Sequence, residues 1–384
     1  MKTIYLILLI TITIFSFAQK AEQIQSFADV KKPQEYYIEQ AKLWKAEIDK
    51  NQKNANAWQN YYKAVRYNYK VYEIGSQKTL GNILADMQKV LPNSFEYNYL
   101  MYYNSTDWGK NVEYIEKAYQ LNPDYVELYP SLITSYEVTN KTNKRNEVLK
   151  RWYKSTNLEA WKYYFNYNAL AFLDSNAIIF SSGDNTIYPK LLLQQGKNIR
   201  KDVKVITIPF IVYNNGDYYN YLLEELGIES FNESDVKINK KSETPKYIQI
   251  AIAKIKHIIN NTSRSIYFDH SYYPEITPAF SDNQYLEGIV YKYSKEPYNN
   301  TAVIKKNFEN NYLLDYLKTD IETIKSNRPE AYGYGYIMPL DILYNYYNDV
   351  NNTVKQEKTK QLIYKIGDRC GLLDKIKKEY ETQN

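Results

Sequence analysis

The chain has 384 residues, 44% hydrophobic and 24% charged, which is an ordinary globular composition, long for one domain and comfortable for two. A net charge of +5, with basic residues scattered among nearly as many acids, gives no basic patch of the kind nucleic acid requires. The only cysteine, Cys370, excludes an intramolecular disulfide, so the hydrophobic core must hold the fold alone.

The first residues read as a secretory leader at positions 1–18. Lys2 is the positive region, Ile4 to Phe15 is an apolar run interrupted only by threonines, and Ser16-Phe17-Ala18 places small residues before a cut at Gln19. The run is short for a membrane span and no second hydrophobic segment comes after it, so no transmembrane segment is expected once the leader is removed. No cysteine comes directly after it either, which excludes a lipoprotein-type anchor. The expected location is outside the cytoplasm, in a periplasm or at an outer membrane. Residues 19–32 are polar and read as a loose lead-in.

From Pro33 to about Tyr164 the pattern is helical. Tyr37, Ala41, Trp44 and Ile48 recur at helical spacing. Ala57-Trp58-Gln59-Asn60-Tyr61-Tyr62-Lys63-Ala64 and Lys117-Ala118-Tyr119-Gln120-Leu121-Asn122-Pro123-Asp124 resemble tetratricopeptide helix pairs. Pro92 and Pro123 open successive pairs at close to that repeat's ~34-residue period, although the usual glycine of the first helix is missing. The resemblance implies degenerate repeats over residues 19–164, stacked because one pair cannot bury its apolar face alone. Their concave side is either a protein- or peptide-binding surface or a plain support for the next domain.

Beyond Trp161 the period changes. Asn176 to Ser182 is a short apolar run, Gly183-Asp184-Asn185-Thr186 a polar turn, Ile187 to Gly196 a helix, and Asp202 to Ile208 a second β-branched run. Asp184 or Asn185 is expected to cap the helix, with Pro189 in its first turn and Gly196 at its end. Strand, helix and strand in this order are most simply a parallel pair with a right-handed crossover. Asp217 to Leu226 reads as a helix stopped by Gly227, and Pro245 opens another with Ile248, Ile252, Ile255 and Ile259 on one face. Ser265 to Asp269 and Gly288 to Tyr293 read as further strands. The fold class is therefore α plus α/β: a helical-hairpin array, then a small, mainly parallel sheet domain at 165–300, then C-terminal helices at 301–384.

Ile179-Phe180-Ser181-Ser182-Gly183-Asp184-Asn185-Thr186, Tyr188-Pro189, Arg200-Lys201-Asp202-Val203-Lys204-Val205 and Tyr285-Leu286-Glu287-Gly288-Ile289-Val290-Tyr291 carry a second resemblance. Together they are similar to the soluble C-terminal region of a multi-spanning membrane-protein family from Bacteroidetes-type bacteria, grouped with protein O-mannosyltransferase-like proteins. The family's second Asp after Gly-Asp-Asn is absent, since Thr186 comes directly after Asn185, and its transmembrane transferase portion has no counterpart here. The resemblance implies an appended domain, not glycosyl transfer.

Ligands of parallel α/β sheets bind beyond the carboxyl ends of the strands. Two such ends are polar here, so Asp184, Asn185, Asp269 and His270 form the candidate ligand site, provided their strands are parallel neighbours. An Asp–His pair there suits general acid–base chemistry or a divalent metal. The competing reading is that Asp184 and Asn185 cap a helix and His270 sits in a loop. His257 falls on the surface or edge of its helix. No phosphate loop, zinc spacing or nucleophile elbow is visible, so no catalytic residue, metal or cofactor is assigned. The 44 tyrosines fit an aromatic surface for glycans or peptides, or a compositional bias shared with Asn, Lys and Ile. Two functions are expected: an exported binding or assembly module for a protein or peptide partner, or a hydrolytic or sugar-related enzyme working at the strand ends.

Overall fold

The computed structural model describes residues 20–26, 30–68, 74–105, 107–155, 158–213, 217–270, 273–318 and 330–382. The expected leader at 1–18 and its cleavage point lie outside the described residues, as does Ser271. The chain divides into two compact units, Met1–Leu100 and Met101–Asn384.

The first unit contains α1 (Gln34–Lys50), α2 (Ala55–Asn68), α3 (Ile74–Val90) and most of α4 (Phe95–Tyr103). A four-residue turn at 51–54 folds α2 back on α1 as a hairpin. α1 buries Tyr37, Gln40, Trp44 and Ile48, so a carboxamide takes the place the apolar pattern assigned to Ala41. Ser94 caps α4 by accepting the Tyr97 N–H at 3.1 Å. The lead-in is not loose: Ile24 is 1% exposed, and its N–H donates to Asn60 Oδ1 of α2.

The second unit starts with helices too: α5 (Val112–Leu121), α6 (Tyr129–Val138), α7 (Thr142–Lys154) and α8 (Ala160–Ala171). Then come β1 (Ile178–Ser181), α9 (Asp184–Lys197), β2 (Lys204–Thr207), α10 (Ile208–Tyr213), α11 (Tyr218–Leu226), α12 (Lys246–Asn260) and β3 (Ile266–Asp269). The hairpin β4 (Gln284–Leu286) and β5 (Val290–Tyr293) is next, and α13 (Thr301–Lys306), α14 (Asp315–Lys318), α15 (Glu330–Asp349), α16 (Thr353–Arg369) and α17 (Leu373–Thr382) complete the chain. The switch from helical to strand pattern thus falls inside this unit.

The sheet order is β2-β1-β3-β5-β4. β1 is parallel to both β2 and β3, while β5 runs antiparallel to β3 and β4. The stretch from Tyr285 to Tyr291 is therefore a tight hairpin: Glu287 N–H bonds Val290 O at 2.8 Å, and Gly288 takes φ +103°. Successive strand residues face opposite sides. Ile179, Val205 and Tyr267 pack into the core made with α8, α9 and α15 to α17, whereas Ile178, Phe180, Ile206, Ile266 and Phe268 join α10, α11 and α12. The β1–β3 part of the sheet is thus the middle of three layers, buried on both faces, which is why β1 and β3 read as apolar runs, while β4 and β5 are only partly buried.

Many tyrosines are core residues. Tyr336 and Tyr316 share a 2.8 Å hydroxyl bond, and Asn168 Nδ2 donates to Tyr336 Oη at 2.9 Å. No described helix is long and apolar enough to cross a membrane.

Candidate functional site

α9 leaves β1 on one face of the sheet and α12 enters β3 from the other. The chain therefore departs to opposite sides of the β1–β3 pair, and the crevice beyond their carboxyl ends is the topological switch point. The register Phe180↔Phe268 makes Ser181 and Asp269 the next neighbours along it. Both fall on the α8–α9 side, because they share parity with Ile179 and Tyr267. The expected parallel alignment of the two polar strand ends is what the sheet contains.

What fills the crevice is a side chain of the protein. Lys190, from the second turn of α9, places its ammonium 2.5 Å from Asp269 Oδ2, and both side chains are 0% exposed. Its other donors reach Asn166 Oδ1 at 2.8 Å and Thr186 O at 2.9 Å, so all three N–H groups are used. Asp269 also accepts from Ser181 Oγ at 2.9 Å and from the His270 backbone N–H at 2.8 Å. Burial pulls the Lys190 ammonium below its ordinary pKa, and Asp269 beside it pushes back.

The local reason for this arrangement is Pro189. It is the sixth residue of α9, not part of the first turn, and it removes the donor that Asn185 O would otherwise receive. Asn166 Nδ2 from α8 supplies that bond at 2.9 Å, and the same carboxamide's oxygen then faces Lys190. One helix defect is thereby repaired by the residue that orients the lysine. At the start of α9 the cap is Gly183 at φ +91°, with no side-chain cap bond, so neither Asp184 nor Asn185 caps it as expected. Gly196 does not stop α9, which runs to Lys197 and ends at Asn198 in the left-handed region. The glycine is needed because a Cβ there would collide with the Tyr153 ring.

The four expected ligand residues are thus divided. Asp184 is exposed at the head of α9, and Asn185 contributes its main-chain carbonyl. Asp269 is sealed beneath the lysine. His270 is half-buried, with its ring close to Gly335 of α15, where a Cβ would come within 3.3 Å of it. Burial lowers the His270 pKa and Asp269 opposes the effect. Among the described residues no group of three or more His, Cys, Asp or Glu could hold a metal ion.

No protein-family model matches the chain, and no curated protein matches it.

The second unit also has an open groove of about 610 Å³ between residues 230–237 and α12. Phe231, Val236, Ile252 and Ala253 line it, with Lys237, Lys256, Gln249 and Asp235 among its polar residues. His257, expected at a surface or edge, lies in its wall: Nε2 sits 2.9 Å from Glu229 O and the ring 5.2 Å from that of Phe231. Sequence reasoning missed Ser181, Lys190 and Asn166. The available signal was Lys190 itself, a charge three residues after Ile187 and four before Gln194 on a face that α9 buries.

Proposed function

We propose that the chain is an exported cell-envelope protein that acts as a non-catalytic binding or assembly module. Its first helices are degenerate tetratricopeptide-like pairs. Its sheet is an appended domain akin to the soluble region of the O-mannosyltransferase-like membrane-protein family. The observation that carries this reading is the Lys190 ammonium lodged in the switch-point crevice. A hydrolytic or sugar-directed site would need Asp184, Asp269 and His270 turned towards one ligand. Instead the position a substrate would take is occupied by a side chain with 0% exposure and a full set of acceptors. The partner is a protein or peptide, and the groove beside α12 gives it an apolar floor with a cationic rim.

The test is quantitative affinity capture from an envelope extract with the wild-type protein and the pair variant Lys190→Met/Asp269→Leu. The expected result is the same captured proteins from both, since the pair only fills the crevice. Loss of capture by a pair variant with a native melting curve would overturn the reading.

A further inference from the structure

Residues 20–26 carry no helix or strand, yet they are held along the α1–α2 hairpin by their main chain. Glu22 N–H donates to Gln40 Oε1 of α1 at 2.7 Å. Ile24 N–H donates to Asn60 Oδ1 of α2 at 2.7 Å. Trp44 Nε1–H donates to Glu22 O at 2.9 Å. A residue's N–H and C=O turned to the same side as the N–H two positions later is the pattern of an extended chain, here read by side chains instead of a neighbouring strand. The Ile24 side chain is 1% exposed, and Tyr36 Oη donates to the Glu22 carboxylate at 3.2 Å.

Two features mark this as a built site. Gln40 and Asn60 are 1% and 2% exposed, costly positions for carboxamides unless something uses them. Asn60 is also pre-oriented: its Nδ2 is tied to Asn56 O at 2.8 Å and Asn56 Oδ1 at 3.0 Å, which leaves Oδ1 to receive a main-chain N–H. Gln40 Nε2, in contrast, is buried with no acceptor among the described residues. The resident segment therefore leaves one donor of the groove unused, a donor that a peptide carbonyl could take.

We propose that the α1–α2 groove is a peptide site whose resident occupant is the chain's own Glu22–Ile24, and that it accepts in trans an extended segment of a partner protein with an aliphatic side chain two residues after an acidic one. This rests on the binding-module reading and names the chemistry of one partner. The resident segment competes for its own groove, so apparent affinity for an incoming peptide is scaled by the fraction of molecules in which the segment is displaced.

The test uses the purified protein and a fluorescently labelled peptide of residues 20–26, tracked by anisotropy. Ile24→Asp, which expels the resident side chain, should bind the peptide at least tenfold more tightly than wild type. Adding Asn60→Leu should abolish that gain, and a peptide with Asp in place of its isoleucine should not bind. An Ile24→Asp variant with native helical signal and no gain in affinity would overturn the proposal, as would a gain that survives Asn60→Leu. Should Ile24→Asp lose its helical signal, Ile24→Ala in the same titration decides between the same two outcomes. Exchange of segments between two copies would appear as a dimer by light scattering of wild type, and would overturn the partner-peptide assignment. Failure of the peptide titration with envelope capture intact removes this site alone; loss of specific capture removes the broader reading.

Discussion

The switch-point crevice of the sheet and the α1–α2 groove are both places where a ligand could sit, and both are filled by the chain itself. They are filled in different ways. In the crevice a lysine is enclosed with an aspartate, and each N–H of the ammonium has an acceptor. Removing that occupant leaves an uncompensated charge in a low-dielectric interior. In the groove the occupant is held by neutral main-chain hydrogen bonds worth about 0.5–1.5 kcal/mol each in net terms, by one buried isoleucine side chain and by the Tyr36 bond to the Glu22 carboxylate. The first arrangement locks a fold, while the second can be exchanged. An internal occupant therefore says little until the cost of removing it is considered.

The largest expected effect is on the locked side. Asp269→Ala or Lys190→Met alone should cost about 3–5 kcal/mol in urea unfolding, because each strands the other charge. The pair variant Lys190→Met/Asp269→Leu should regain most of that loss. A pair variant as unstable as the sum of the two single changes would mean that the network contributes more than mutual charge compensation.

Alkaline pH comes next. Burial raises the pKa of Tyr188, Tyr218 and Tyr316 well above the ordinary value of 10. In the unfolded chain these phenols ionise near pH 10 and in the folded chain they do not, so their stabilisation is complete below that pH and is lost as pH rises further. The slope is about 1.4 kcal/mol per pH unit for each tyrosine. Lys190 acts in the opposite sense: its lowered pKa means that the unfolded chain holds the extra proton, so its contribution rises with pH up to about 10.5. The two windows differ: below about pH 10 only the Lys190 contribution changes, in the rising sense, and above about 10.5 the three tyrosines alone set the slope and stability falls. Denaturation midpoints between pH 8 and 11 will check the sign.

A smaller effect is expected where α15 meets the candidate site. Gly335→Ala would bring a Cβ within 3.0 Å of the Phe165 ring and 3.3 Å of His270. The expected cost is about 1–3 kcal/mol by thermal melting. The smallest is Asp184→Ala. With the cap at Gly183 and Asp184 exposed, a helix-dipole contribution of about 0.3–1 kcal/mol is at stake, and partner capture should be unchanged. Loss of capture there would return Asp184 to a ligand role.

The layered fold was legible because burial on both faces leaves a plain mark: Ile178-Ile179-Phe180 and Ile266-Tyr267-Phe268 are apolar without alternation. The parallel pairing came from the intervening helix, and with it the placing of Asp269 at the switch point. Several features were hidden. Lys190 was passed over because a lysine in a helix reads as surface even where its spacing to Ile187 and Gln194 puts it on the buried face, and the repair of the Pro189 defect by Asn166 lies between residues far apart in sequence. Glu22 to Ile24 were hidden for a different reason: a main chain read by Gln40, Asn60 and Trp44 leaves no periodicity, and one isoleucine among polar residues resembles a loose lead-in. β4 was missed because its three residues run almost directly into the turn before β5.

The central claim is that the crevice at the strand ends is closed by Lys190. Its most direct test is native amine labelling with an acetylating reagent, read by peptide mass spectrometry against exposed lysines such as Lys45 and Lys241. Lys190 should stay unmodified in the folded protein and react only after unfolding. Labelling of Lys190 in the native protein at the rate of those exposed lysines would mean that the crevice opens to solvent, and would contradict the account.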